Sequence, residues 1–227
     1  GSMGGEKIAF TIEALQKMLS HLKAGDRLTL TTFESSAQNV FVDLEFGANE
    51  AAIRDAFLAL EAQGGTNMIE GLRNSYELAQ NNFREGMLHR VILFGDGSAN
   101  VGDTDLEAFS RLTRINGQEG IYLSGIGVGV DYAFERMDAL TDAGKGAHIF
   151  LPNREEVDII FGDYFSKVVE VAADAIAIEA TLPEGIRLTA FSGEEVSFDP
   201  NQRLQNIVLA AGDDMTFTAT FEVVDEA

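Results

Sequence analysis

His89-Arg90-Val91-Ile92-Leu93-Phe94-Gly95-Asp96-Gly97 is the stretch that decides the fold. Val91 to Phe94 form a short, unbroken apolar run closed by glycine. Such a run predicts a strand buried on both faces, the kind found inside a parallel sheet. Gly95-Asp96-Gly97-Ser98-Ala99-Asn100 then reads as a glycine-rich loop. An acidic residue at the end of a buried strand has three readings: a metal ligand, a turn-forming aspartate or a catalytic base.

On the N-terminal side, Ile8, Ile12, Leu15, Leu19 and Leu22 recur at spacings of three or four. They predict a helix over residues 6–23 with one apolar stripe, stopped by Gly25. Arg27–Phe33 is a β-branched and apolar run that predicts a buried strand. Residues 39–46 predict a second strand, with Val40, Val42 and Leu44 on one face. Residues 49–62 predict a helix. Gln63-Gly64-Gly65-Thr66-Asn67 is a polar loop that opens another helix, running to about Phe83. Thr66 presents a hydroxyl at that helix start, either as an N-cap or as a ligand.

On the C-terminal side, residues 105–115 predict a helix, Ile121–Val128 a strand, residues 134–142 a short helix, His148–Leu151 a short strand and residues 155–172 a last helix. The alternation predicts an α/β fold, a doubly wound and mostly parallel sheet with helices on both faces. Ligands of such sheets bind beyond the carboxyl ends of the strands, where both glycine-rich loops lie. After about Asp174 the pattern changes to strands and turns without helices. Thr216, Thr218 and Thr220 alternate with Phe217, Ala219 and Phe221, a half-buried antiparallel pattern. Residues 173–227 therefore predict a β-rich tail, part of a β-sandwich. Asp213-Asp214 reads as a turn.

The formal net charge of −21 argues against nucleic acid and anionic membranes as partners. It suits solubility, or attraction of cations and basic partners. The absence of cysteine excludes disulfides and thiolate zinc sites. No apolar run approaches the ~20 residues of a spanning helix, so no membrane insertion of this segment is expected. Gly1-Ser2 before Met3 has the look of a pair left by tag removal.

Three segments together resemble the von Willebrand factor type A family, here of bacterial character: Gly1-Ser2-Met3-Gly4-Gly5-Glu6-Lys7, Gly64-Gly65-Thr66-Asn67 and Asp96-Gly97. That family builds a metal-ion-dependent adhesion site from an Asp-x-Ser-x-Ser loop, a loop holding a threonine, and an aspartate at a strand end. Gly25-Asp26-Arg27-Leu28 with Thr32-Phe33, Ile126-Gly127-Val128-Gly129 and Asp138 to Gly144 add to the likeness, which covers residues 3–172. The resemblance implies a non-enzymatic adhesion-type module with Ser2, Thr66 and Asp96 as metal ligands. It implies Mg2+, or Mn2+ or Ca2+, and a protein partner that reaches the ion through an acidic residue. The motif's own aspartate and first serine, and the strand before them, would precede Gly1. The first strand and most of the first loop are thus expected to be missing, with weak or no metal binding. Homodimerisation by strand exchange, rearrangement, or completion by a neighbour's tail would compensate for the strand. A secreted, periplasmic or cell-surface setting is favoured over a cytoplasmic one.

Two other functions stay open. One is an intracellular module of the same fold that partners an AAA+ ATPase, as in chelatase-type assemblies. The other is a phosphatase-like hydrolase with Asp96 as nucleophile beside Asp103 and Asp105. His21, His89 and His148 are scattered and suggest neither a metal cluster nor a serine–histidine dyad. Gly127-Val128-Gly129 lacks the third glycine of a dinucleotide fingerprint, and no phosphate-binding Gly-Lys-Ser/Thr loop occurs.

Overall fold

Helix α1 (Glu6–Met18) forms where Phe10, Ala14, Leu15 and Met18 share one buried face, and a 3₁₀ turn carries it to His21. The computed structural model describes residues 2–165, 171–173, 176–177, 181–192, 196–197, 204–205, 209–210 and 216–224. The chain divides into two units, residues 1–169 and 170–227.

In the first unit, β1 (Arg27–Phe33) and β2 (Ala37–Glu45) make an antiparallel pair. Helices α2 (Glu50–Leu58) and α3 (Met68–Asn81) follow. Strand β3 (His89–Gly95) leads through α4 (Leu106–Gln118) to β4 (Ile121–Val128), and through α5 (Phe134–Ala143) to β5 (His148–Leu151). These three strands pair in parallel in the order β3-β4-β5, in even register from His89 opposite Ile121 to Gly95 opposite Gly127. Among the described residues the sheet is therefore in two pieces, β1-β2 and β3-β4-β5, which share no strand pairing.

Two apolar layers hold the pieces together. On one side α1 packs with Leu28 and Leu30 of β1, Ile92 and Phe94 of β3, and Ile126 and Val128 of β4. On the other side α3, through Met68, Leu72 and Tyr76, packs with Phe33 of β1 and Val91 and Leu93 of β3. Each fully buried side chain of this size contributes roughly 1.5–3 kcal/mol against exposure. Gly71 lets α3 approach closely, since a Cβ there would stand 2.7 Å from Phe33 Cγ.

Two expectations need correction. Val40 and Val42 do not face inward: they are 47 % and 39 % exposed, while Phe41 and Leu44 pack on the core. The cause is a break in the alternation at Asp43, which has φ 52° and lies where the β1–β2 register shifts. The last helix also does not extend to residue 172. Helix α6 (Glu155–Ile159) passes into a π turn over Ile160–Tyr164, and Val171–Ala173 is already strand β6.

The second unit is β-rich. β8 (Ile186–Ser192) lies between β12 (Thr218–Val223) and β9 (Val196–Ser197), all antiparallel. β6 pairs with β11 (Leu209–Ala210), and β7 (Ile176–Ala177) with β10 (Leu204–Gln205). Phe191 and Phe217 stack at 5.8 Å. The turn expected at Asp213-Asp214 lies outside the described residues. No helix among the described residues is long and apolar enough to cross a membrane.

Candidate functional site

Asp96 follows β3 directly and is only 3 % exposed. The next residue must be glycine: Gly97 has φ +70°, and a Cβ there would meet Ala133 Cβ at 2.9 Å. Ser98 N–H donates to Asp96 Oδ1 at 3.0 Å, and Ala133 N–H donates to the Asp96 carbonyl at 2.7 Å. The other carboxylate oxygen, Oδ2, stands 3.6 Å from Lys7 Nζ. Lys7 also reaches Asp131 Oδ1 at 2.6 Å. That contact, with a backbone hydrogen bond, holds the Asp131 carboxyl below the usual carboxylate range. The lysine stem lies over Gly129, where a Cβ would meet Lys7 Cε at 2.5 Å.

Thr66 sits beside this loop. Its N–H donates to Asn100 Oδ1 at 2.8 Å, and its carbonyl accepts from Asn100 N–H at 3.1 Å and Val101 N–H at 3.2 Å. Gly65 makes the approach feasible, since a Cβ there would meet Val101 Cγ2 at 2.6 Å. The N-cap reading of Thr66 is not what the structure shows. Asn67 caps α3, its Oδ1 accepting from Glu70 N–H at 3.4 Å while its Nδ2 donates to Glu70 Oε2 at 2.7 Å. The Thr66 hydroxyl makes no hydrogen bond among the described residues, so it is left over from the cap.

Ser2 lies exposed in the turn before α1 and makes no hydrogen bond among the described residues. The structure thus ties the Thr66 and Asp96 loops together through Asn100, and ties α1 to Asp96 through Lys7. Among the described residues Ser2 has no hydrogen bond to either. Among the described residues no group of three or more His, Cys, Asp or Glu is placed to hold a metal ion. Asp103 and Asp105 have local roles: Asp103 Oδ1 accepts from Asp105 N–H at 3.0 Å, and Asp105 caps α4 by accepting from Ala108 N–H at 3.3 Å. The histidines lie apart. His21 bonds the Phe161 carbonyl, His89 accepts from Arg84 N–H, and His148 Nδ1 stands 3.5 Å from Asp138.

Sequence reasoning missed Lys7, Asn100 and Asp131, whose roles depend on residues far away in the chain. It also missed an aromatic cluster. Tyr132 stacks on Phe150 at 4.9 Å, and Phe134 packs on His148 at 5.0 Å. Phe134, Phe150 and Val130 are 54 %, 43 % and 82 % exposed. Tyr132 crosses bare backbone: a Cβ on Gly127 would meet its ring at 2.3 Å.

Residues 1–160 match the family model described as von Willebrand factor type A domain. Among curated proteins, bovine (Bos taurus) inter-alpha-trypsin inhibitor heavy chain H4 is 30 % identical over 189 residues, covering 79 % of this chain and 20 % of that one. The uncharacterized protein YfbK of Escherichia coli strain K12 is 26 % identical over 180 residues, covering 78 % of this chain and 31 % of that one. The chain thus spans less than a third of the length of either relative. Among solved structures, von Willebrand factor type A from Catenulispora acidiphila superposes with a TM-score of 0.70 at 17 % identity, over 98 % of this chain and 55 % of that one. Proximal thread matrix protein 1 from the mussel byssus, with a zinc-occupied MIDAS motif, superposes with a TM-score of 0.56 at 18 % identity, over 70 % of this chain and 39 % of that one. At these identities the structural likeness speaks for the fold alone.

Proposed function

Because this chain belongs to the von Willebrand factor type A domain family, we propose that it is a non-enzymatic protein-binding module that engages its partner through a divalent cation held between Thr66 and Asp96. The observation that carries this reading is the division of labour between neighbours: Asn67 caps α3, and the Thr66 hydroxyl makes no hydrogen bond among the described residues, while the Thr66 backbone is tied to Asn100 of the Asp96 loop.

The donor chemistry fits a hard cation in kind. A carboxylate and hydroxyl oxygens suit Mg2+, and equally Mn2+ or Ca2+. It falls short in number. Thr66 and Asp96 supply two oxygen-bearing side chains against the roughly six ligands Mg2+ prefers, so waters would complete the shell. When bound, the ion would supply an open position for a partner's carboxylate. This chain's own residues would do the rest. Asn100 holds the two loops in register, Ser98 N–H orients the Asp96 carboxylate, and Phe134 and Phe150 offer apolar contact. Lys7 works against the ion, since its ammonium already balances Asp96.

Calorimetry with Mg2+ and Mn2+ tests the reading. The chain should bind with a dissociation constant of about a millimolar, at the weak end for oxygen-ligand sites. Thr66→Ala and Asp96→Ala should each abolish the heat while leaving the circular dichroism unchanged. Unchanged binding in Thr66→Ala would mean the cation sits elsewhere.

A further inference from the structure

We propose that the face at the amino ends of β3 and β4 is a second docking surface, which takes a protein segment carrying one bulky apolar side chain flanked by lysines or arginines. The loop between α3 and β3 sets the apolar requirement. It holds Phe83, Met87 and Leu88, three large apolar residues within six positions. They are 47 %, 45 % and 50 % exposed. Beside Phe83 lies a recess of about 260 Å³, lined also by Gln80, Glu119 and Ile121, the first residue of β4. That volume is below the ~300–1,000 Å³ of small-molecule sites, so it suits one side chain rather than a cofactor. β3 is seven residues long, which sets this face roughly 20 Å from Asp96. The surface is therefore separate from the cation site and does not rest on it.

The loop is pinned with these side chains outward. The Arg84 guanidinium donates to Asp43 Oδ1 at 3.1 Å and to Oδ2 at 2.8 Å. Arg84 N–H donates to His89 Nε2 at 2.9 Å, and Phe83 stacks on the His89 ring at 4.4 Å. Met87 N–H donates to the Arg84 carbonyl at 3.2 Å. A loop fixed in this way cannot turn its apolar groups inward, and it loses little further entropy when a partner binds. Single exposed apolar residues are ordinary, but a group of them at a recess with a polar rim marks an interaction surface.

Charge sets the rest of the partner's chemistry. Glu85 lies in the loop, Glu119 at the recess and Glu77 one turn before Gln80, and all three are exposed. None of them makes an ion pair among the described residues, while the loop's own cation, Arg84, is committed to Asp43. Gln80 Nε2 donates to Glu119 Oε2 at 3.1 Å and to Asn116 Oδ1 at 2.8 Å, which holds that carboxylate at the rim. An apolar centre among unpaired carboxylates complements an apolar side chain with basic flanks. The same charges disfavour two other occupants. A second copy would set carboxylate against carboxylate, and the net charge of −21 repels an anionic membrane.

The probe is a fluorescent peptide with one central phenylalanine, two lysines on either side and serine ends, added to the full chain. Binding is read by anisotropy and located by backbone amide shifts in nuclear magnetic resonance. The expected result is saturable binding with shifts gathered at residues 80–89 and 119–121. Replacing the four lysines with glutamates should abolish binding, and replacing the phenylalanine with alanine should weaken it about ten-fold or more. These two arms leave the protein unaltered, so misfolding of a variant cannot imitate them. Glu85→Lys combined with Glu119→Lys, both at exposed positions, should weaken the original peptide about ten-fold or more. Most of the net charge of −21 stays in place in that variant, which separates this face from the acidic surface at large. No saturable binding, equal binding of the alanine peptide, or shifts spread over the acidic surface would overturn the proposal. So would a dimer by light scattering that Phe83→Ser dissociates, since a second copy would then cover the face.

Discussion

Thr66 and Asn67 share a helix start but do different work, and Asp96 answers to Lys7 as well as to its own loop. A buried carboxylate with one ammonium neighbour is sensitive to loss of that neighbour, because the charge left behind is poorly solvated. Lys7→Met should therefore lower the melting temperature in metal-free buffer and enlarge the rise produced by Mg2+, which then meets no competing cation. Thermal melts of both proteins with and without Mg2+ check this; an unchanged Mg2+ increment would separate Lys7 from the cation. At this scale Asp96 and Thr66 were legible in the sequence, because glycines flank them and a strand or helix adjoins them. Lys7 was not, because its position over Gly129 joins residues more than a hundred positions apart. Ser2, a third hydroxyl just before α1, makes no hydrogen bond among the described residues that would bring it to the other two.

Strand β2 shows how one residue redirects an element. Asp43, at φ 52°, turns Val40 and Val42 outward and takes hydrogen bonds from Arg84 and Arg27. Those bonds, Arg84's first, hold its carboxyl well below the usual carboxylate range. A depressed folded-state pKa contributes stability that is complete above the unfolded value, about 4, and is lost as pH falls below it. Asp43→Asn should thus cost roughly 1 kcal/mol at neutral pH, as expected for a partly exposed network, and flatten the loss of stability on acidification. Urea midpoints between neutral pH and about pH 3 test it; parallel pH profiles would contradict it. Helix α3 depends on Gly71 in the same local way. Gly71→Ala should destabilise by about 1–3 kcal/mol, read by urea unfolding, because Phe33 occupies the space a Cβ needs. Alternation and apolar runs made β1, β3, β4 and β5 readable to within a residue. The inward face of β2 and the π turn that follows α6 were not, since neither a positive φ nor a π turn leaves a periodic signal.

Across the whole molecule, a chain of net charge −21 faces a particular ambiguity. Its many carboxylates attract divalent cations weakly over the entire surface, and bulk affinity alone does not distinguish that atmosphere from a site. The α/β order and the β-rich tail were both legible in the chain's patterning. The division of the first unit's sheet was approached only through the resemblance, which left the first strand missing, because pairing is a relation between strands that no single stretch encodes. The proposed function requires that one cation sit where the Thr66 and Asp96 loops meet. Its most direct test is titration with Mn2+ while backbone amide signals are followed by nuclear magnetic resonance, since this ion broadens only what lies near it. The prediction is early, selective broadening at residues 65–67 and 96–98 that Asp96→Asn abolishes. Broadening spread over the acidic surface, or undiminished at those loops in Asp96→Asn, would contradict it.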